Sequence, residues 1–244
     1  MADMNLTFIG TGNAFAPGGS CYNGFLVNGR FLFEAPPSAM PSLNKLGLDA
    51  NELEAVIISH HHGDHFLGLP FLLLHWKYMG RTRPIRIIGP PGTSALAQDI
   101  GLKVYPGLLD IAYEIEWIEA TPGQSIEAGS GLVIEPVAVE HDQRLDWSLG
   151  YLCRLNGRSF GYTGDSRICD GVLDLARRSD VLVSECASVD ETIDVHMNLR
   201  DDIPVVRAVM RPESQLILTH LGPGVEPDGL KNTAVAHDLQ SFRT

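Results

Sequence analysis

The chain is short of positive charge: 18 Lys and Arg stand against 30 Asp and Glu over 244 residues, a formal net charge of −12, and the basic residues form no cluster. Long nucleic acids are held largely by Lys and Arg on phosphates, so this composition argues against general nucleic-acid binding. Cysteine is scarce too. Cys21, Cys153, Cys169 and Cys186 show no Cys-x-x-Cys spacing, and neither a zinc knuckle nor a redox pair is indicated. The longest apolar run, around Phe66 to Trp76, is too short and too interrupted to span a bilayer. The opening Met1-Ala2-Asp3-Met4-Asn5 lacks the basic start and apolar core of a signal peptide. These absences predict a soluble, cytoplasmic protein with no membrane partner. No repeat, low-complexity segment or composition break divides the chain, and its 44% hydrophobic content is enough for a single packed domain over residues 1–244.

Histidine, in contrast, is concentrated. Ser59-His60-His61-His62-Gly63-Asp64-His65 packs four imidazoles and a carboxylate into one short stretch. The preceding Leu53-Glu54-Ala55-Val56-Ile57-Ile58 is apolar and β-branched, which reads as a buried strand. A helix is expected from Phe66 to about Met79, so the cluster falls on a strand-to-helix loop at a scaffold edge. His60 and His62, at i and i+2 on extended backbone, point the same way and reach one ion together. His61 points away and is not expected to be a ligand. Asp64 and His65 follow at the turn and are available to a second ion. Imidazole and carboxylate without thiolate suit zinc, and ligand type alone accepts manganese or iron as well.

One cluster cannot complete two coordination spheres, and three other places offer ligands. His141 ends the apolar stretch Leu132 to Glu140, Asp165 ends Arg158 to Gly164, and His220 ends Gln215 to Thr219. Each lies at the carboxyl end of an expected strand, the side of an open sheet where α/β proteins place their sites.

The pattern His-x-His-x-Asp-His from His60 to His65, then His141, Asp165 within Tyr162-Thr163-Gly164-Asp165-Ser166, and His220 within Leu218-Thr219-His220-Leu221, resembles the metallo-β-lactamase superfamily. Within it, Leu6-Thr7-Phe8-Ile9-Gly10-Thr11-Gly12-Asn13-Ala14-Phe15 and Asp64-His65-Phe66-Leu67-Gly68-Leu69-Pro70 resemble the ribonuclease Z and related phosphodiesterase branch. The resemblance implies an α/β protein with the αββα sandwich, two mixed β-sheets flanked by helices. It implies His60, His62 and His141 on one zinc, Asp64, His65 and His220 on the other, and Asp165 bridging the two. It also matches Glu185, at the end of the strand Asp180 to Cys186, with a carboxylate that orients a histidine on the next loop, here His196. Asp64, Glu185 and His196 are therefore the candidates for catalytic roles. A homodimer is implied by the same resemblance.

The chain departs from the family pattern in two places. Where an Asp-x-Gly element is expected, it has Phe33-Glu34-Ala35-Pro36-Pro37. Glu34 is the candidate to replace the acidic residue behind the ligands, and the proline pair stiffens the turn into a short helix around Ala39 to Leu46. The basic, glycine-containing arm with which ribonuclease Z grips tRNA has no counterpart, since the segment between Leu102 and His141 holds a single lysine, Lys103. The glycines of Gly10-Thr11-Gly12 and Gly18-Gly19 read as tight turns near the pocket and not as a phosphate cradle, because no lysine and no helix start follow them. Arg167, close to Asp165, is a candidate phosphate contact. Further strands are expected at Leu6 to Ile9, Gly24 to Glu34 with a turn at Asn28-Gly29, Pro84 to Gly89, Tyr113 to Glu119 and Ser148 to Arg154. Helices are expected at Thr93 to Leu102, Ile168 to Arg178 and Ile203 to Met210.

Two zinc ions about 3.5–4 Å apart share a water, lower its pKa towards about 7 and so provide a bridging hydroxide at neutral pH. A diester's leaving oxygen also needs a proton, for which His196 held by Glu185 is the expected general acid. The expected function is hydrolysis of a small, short or cyclic phosphodiester, favoured over precursor tRNA. The alternatives are a lactone, thioester, sulfate ester or β-lactam hydrolase on the same site, and a metal-binding scaffold without turnover.

Overall fold

A computed structural model describes residues 4–227 and 229–244; Met1, Ala2 and Asp3, which enter the reading of the opening segment, lie outside the described residues. The first half contains β1 (Asn5–Gly10), β2 (Gly24–Val27), β3 (Phe31–Phe33), α1 (Ala39–Lys45), β4 (Ala55–Ile57), α2 (Gly63–Phe66), α3 (Leu69–Tyr78), β5 (Ile85–Gly89), α4 (Thr93–Val104) and β6 (Ile115–Glu119). The second contains β7 (Ile126–Gly129), β8 (Leu132–Ala138), β9 (Leu149–Leu155), β10 (Arg158–Tyr162), α5 (Asp170–Arg178), β11 (Val181–Glu185), α6 (Asp202–Val209), β12 (Gln215–Thr219), β13 (Thr233–Val235) and β14 (Ser241–Arg243). They form two mixed sheets, in the order β14-β1-β2-β3-β4-β5-β6 and β13-β12-β11-β10-β9-β8-β7.

The αββα layering follows from strands that are apolar on both faces, as strands covered on both sides must be. Phe8, Phe25, Phe33 and Ile57 from the first sheet meet Tyr151, Phe160, Tyr162 and Val183 from the second in one buried core. Their neighbours by alternation, Ile9, Leu26, Leu32, Val56 and Ile58, face outward under α1 and α3, where Leu43, Leu72, Leu73 and Trp76 cover them. The second sheet does the same, with Leu152, Leu182, Leu216 and Leu218 covered by Val172, Leu175, Ile203 and Val206 of α5 and α6. Asn28 and Gly29 both take positive φ, 51° and 69°, the geometry of a type I′ hairpin between β2 and β3.

Three differences from the sequence reading have physical causes. The helix expected from Phe66 to Met79 is two helices, broken at Leu67 and Gly68. Gly68 fits directly against the β3 exit, donating its backbone N–H to Ala35 O at 2.7 Å, and a Cβ there would stand 1.9 Å from Pro36 O. Asp64 and His65 accordingly lie in the one-turn helix α2 and not in an open turn. Strands β7, β13 and β14 are not expected from the sequence; all three are edge strands of three or four residues with little periodicity to detect.

Because His65 O accepts from Ala35 N at 2.7 Å in the same contact, Gly68 seats the histidine-bearing turn on the sheet. Gly68→Ala should cost about 1–3 kcal/mol of stability by overpacking. Urea unfolding measures it, and a midpoint equal to wild type would show that the contact is not tight.

Candidate metal centre

The pairing pattern sends the site residues to one edge. β10, β11 and β12 are mutually parallel, and β9 runs antiparallel to both β8 and β10, so β8 shares their direction. Their carboxyl ends deliver His141, Asp165, Glu185 and His220 together. The first sheet closes on the same edge: Leu149 N donates to Ser59 O at 3.1 Å and Tyr151 Oη to Ile58 O at 2.7 Å. His60 is the next residue after these contacts, and the rest of the histidine cluster follows on the loop and α2.

Among the described residues, His196 joins two overlapping groups of ligand atoms, with His141 and Asp165 and with Glu185 and His220, and two groups are free of it, each within 4.8 Å of one another: His60, His62 and His141, and Asp64, His65, Asp165 and His220. Asp165 Oδ2 sits between them. It is 3.1 Å from His220 Nε2, 3.2 Å from His65 Nε2, and 3.9 Å from both His60 Nε2 and His141 Nε2. Asp64 Oδ2 approaches His65 Nε2 at 3.2 Å and His220 Nε2 at 3.5 Å. The seven residues singled out from sequence are thus brought to one place. His61 is not part of it: its Nε2 lies 2.8 Å from Thr93 Oγ1 and its ring packs on Phe66.

The donor set fits divalent metal. His60 Nε2, His65 Nε2 and Asp165 Oδ1 are buried in the cluster without a hydrogen-bond partner. Each such atom costs about 1–3 kcal/mol unless something compensates it, and so many in one place point to cations. The charges in the cluster are strongly coupled: burial alone lowers His65, but the Asp165 and Glu34 carboxylates raise it well above the ordinary imidazole range. Burial raises the Asp165 carboxyl, but the charges of His220 and His65 outweigh it and hold the group ionised, well below its ordinary range. Burial, reinforced by neighbouring His65, keeps His60 neutral and its lone pair available.

Beyond the ligands stands His196. Its Nδ1 lies 2.9 Å from Glu185 Oε1, and its ring stacks on His220 at 5.3 Å between centroids. Glu185 is 1% exposed and is itself fixed by Ser166 N at 2.6 Å and Met197 N at 3.3 Å. Burial lowers the His196 pKa, but the Glu185 charge and hydrogen bond prevail and raise it to about 9.

Glu34 is fully buried and reaches behind His65, with Oε1 3.5 Å from Nδ1. Tyr162 Oη donates to the same oxygen at 2.9 Å, and Ser59 N donates to Oε2 at 3.2 Å. Arg167 is engaged by Glu140, Nε to Oε2 at 2.8 Å, and so is not free for phosphate. Tyr162, Asn23 and Asp142 also belong to the site's surroundings, without a motif in the sequence to mark their contacts. Asn23 Nδ2 donates to Tyr162 Oη at 2.9 Å and Asn23 Oδ1 accepts from Thr219 Oγ1 at 2.6 Å, a link across the sheets that no local pattern signals. Asp142 faces His62, and its only signal in sequence is its place beside His141.

His65→Ala breaks the second group and leaves His60, His62 and His141 in place. Elemental analysis should then find one ion fewer per chain than in wild type, and an unchanged ratio would contradict the grouping.

A family model described as a beta-lactamase superfamily domain matches residues 27–221. Ribonuclease Z of Methanosarcina acetivorans is 26% identical, with 98% of this chain and 97% of the relative covered. That alignment runs over 304 positions against the 244 residues here, so the relative carries residues that this chain lacks. Among solved structures, the metallo-beta-lactamase fold protein YhfI from Bacillus subtilis has a TM-score of 0.80 at 22% identity over 100% of both chains. Human tRNase Z, short form, has 0.79 at 21% identity over 98% of both. These two likenesses establish the fold, while the family match spans β3 to β12 and every residue of the metal centre, and by it the chain belongs to the beta-lactamase superfamily.

Proposed function

We propose that the chain, a metal-dependent hydrolase by its family and its ligand chemistry, cleaves small phosphodiesters with two divalent ions, zinc foremost. The observation that carries this reading is His196, held by buried Glu185 beside Asp165 and both ligand groups. A phosphodiester needs its leaving oxygen protonated, and a carboxylate-held imidazole next to the cluster is suited to that step. The relatives named ribonuclease Z support the same bond type.

His60, His62 and His141 would hold one divalent ion and Asp64, His65, Asp165 and His220 another, which would supply an activated water and polarise the scissile oxygen. The chain's own residues set the geometry around that chemistry. Asp165 fixes the spacing between the two ligand groups, and Asp64 completes the second. Glu185 accepts from His196 Nδ1, which leaves Nε2 to present a proton. With its pKa raised, His196 is protonated at neutral pH.

The surroundings favour a small substrate. A cleft of about 270 Å³ lined by His141, Asp142, Leu145, Ser148 and Arg167 flanks the cluster on one side. Another, of about 380 Å³, is lined by Gly12, Pro17, Ser20, Leu221 and His237. Both are near the lower limit for small-molecule sites. Arg144 and Arg167 near the first cleft are paired with Asp142 and Glu140, so neither adds a free charge for a polyanion. The net charge of −12 and the shorter chain point the same way.

A chromogenic phosphodiester with zinc-loaded protein tests the reading. Asp165→Ala should abolish turnover. His196→Ala should keep its metal and slow cleavage by roughly 10²–10⁴, the range of a general acid. It should also lose the alkaline limb of the rate profile, because only protonated His196 donates. An undiminished rate in His196→Ala would remove the carrying observation, and turnover of lactones or thioesters without diesters would move the site to carboxyl-type bonds.

A further inference from the structure

In the first ligand group, each imidazole has one nitrogen facing the cluster and one facing a protein partner. His60 Nδ1 meets Ser59 Oγ at 2.8 Å, and His141 Nδ1 donates to Val195 O at 2.9 Å, which leaves Nε2 of both for a metal. His62 is turned the other way. Its Nδ1 faces His141 Nε2 at 3.1 Å, and its Nε2 faces Asp142 Oδ2 at 3.4 Å. With His141 Nε2 a lone-pair acceptor, the His62 nitrogen opposite it shares either a proton or an ion with it. If an ion sits there, the remaining proton of His62 is on Nε2, the nitrogen 3.4 Å from Asp142 Oδ2.

We propose that Asp142 is a positioning residue for the first ion, acting through His62; the inference rests on the two-ion reading above. A carboxylate on the far nitrogen of a metal-bound imidazole fixes its tautomer and ring orientation and raises its basicity as a ligand.

Asp142 is built to hold that position. Arg144 clamps it, Nε to Oδ1 at 2.8 Å, Nη2 to Oδ2 at 2.6 Å and backbone N to Oδ1 at 3.0 Å. The Asp142 side chain is 11% exposed and that of Arg144 89%, so the arginine adds no core packing and serves to fix the carboxylate. The second group has its own counterpart in Glu34 behind His65. Each ligand group therefore has one carboxylate behind one of its histidines, and only Asp142 lies on a surface loop, where its removal leaves the core untouched.

Chelator competition with zinc, and the visible absorption of the cobalt-substituted protein, test this. Asp142→Ala should weaken one of the two sites about 10–100-fold and leave the other unchanged, with an altered cobalt spectrum for the weakened site. Asp142→Glu should restore part of the affinity, and Arg144→Ala should fall between wild type and Asp142→Ala. Asp142→Asn, which keeps the shape, replaces the alanine variant if that one does not fold. Two wild-type affinities in a folded Asp142→Ala protein would overturn this assignment alone. A wild-type chain that binds fewer than two ions would overturn the two-ion reading and this assignment with it.

Discussion

Asp165 Oδ2 lies within 3.1–3.9 Å of four imidazoles, His60 and His65 from the first half of the chain and His141 and His220 from the second. The carboxylate is 3% exposed. An ionised group so buried costs several kcal/mol unless opposite charge surrounds it, and the cluster is the compensation. The backbone is arranged to bring it there. Gly164 takes φ 59°, and a Cβ at that position would stand 2.6 Å from Leu149 O, so the turn from β10 to Asp165 has room only for glycine. The edge where the two sheets meet is therefore defined by where this carboxylate must sit.

Two of the non-glycine residues with positive φ lie at the same edge. His220 holds φ 52° and Glu34 φ 65°, left-handed conformations that cost non-glycine residues about 1–3 kcal/mol each. Both side chains belong to the cluster, His220 beside Asp165 and Glu34 behind His65. The large aromatic core between the sheets, with Phe25 and Phe33 stacked at 4.8 Å, supplies the burial that offsets such local cost.

Much of this was legible in the sequence, and the boundary is physical. His60 to His65 could be read because their spacing is local and an extended segment alternates its side chains. The strands carrying His141, Asp165 and His220 could be read from apolar runs that end in a polar residue. The layering of the sheets came only through resemblance, since alternation shows which face is apolar and not what covers it. Gly68 broke the expected helix because of Pro36, a residue distant in sequence. The Tyr162, Asn23 and Thr219 chain joins three separated segments through single hydrogen bonds. Asp142 stood beside a ligand but reveals its partner, His62, only in three dimensions.

The most direct test of the account is anomalous diffraction at the zinc edge from crystals of the zinc-loaded protein. The account predicts two peaks on either side of Asp165, one among His60, His62 and His141, the other among Asp64, His65 and His220. A single peak, or ions bound elsewhere with Asp165 left unligated, would contradict it.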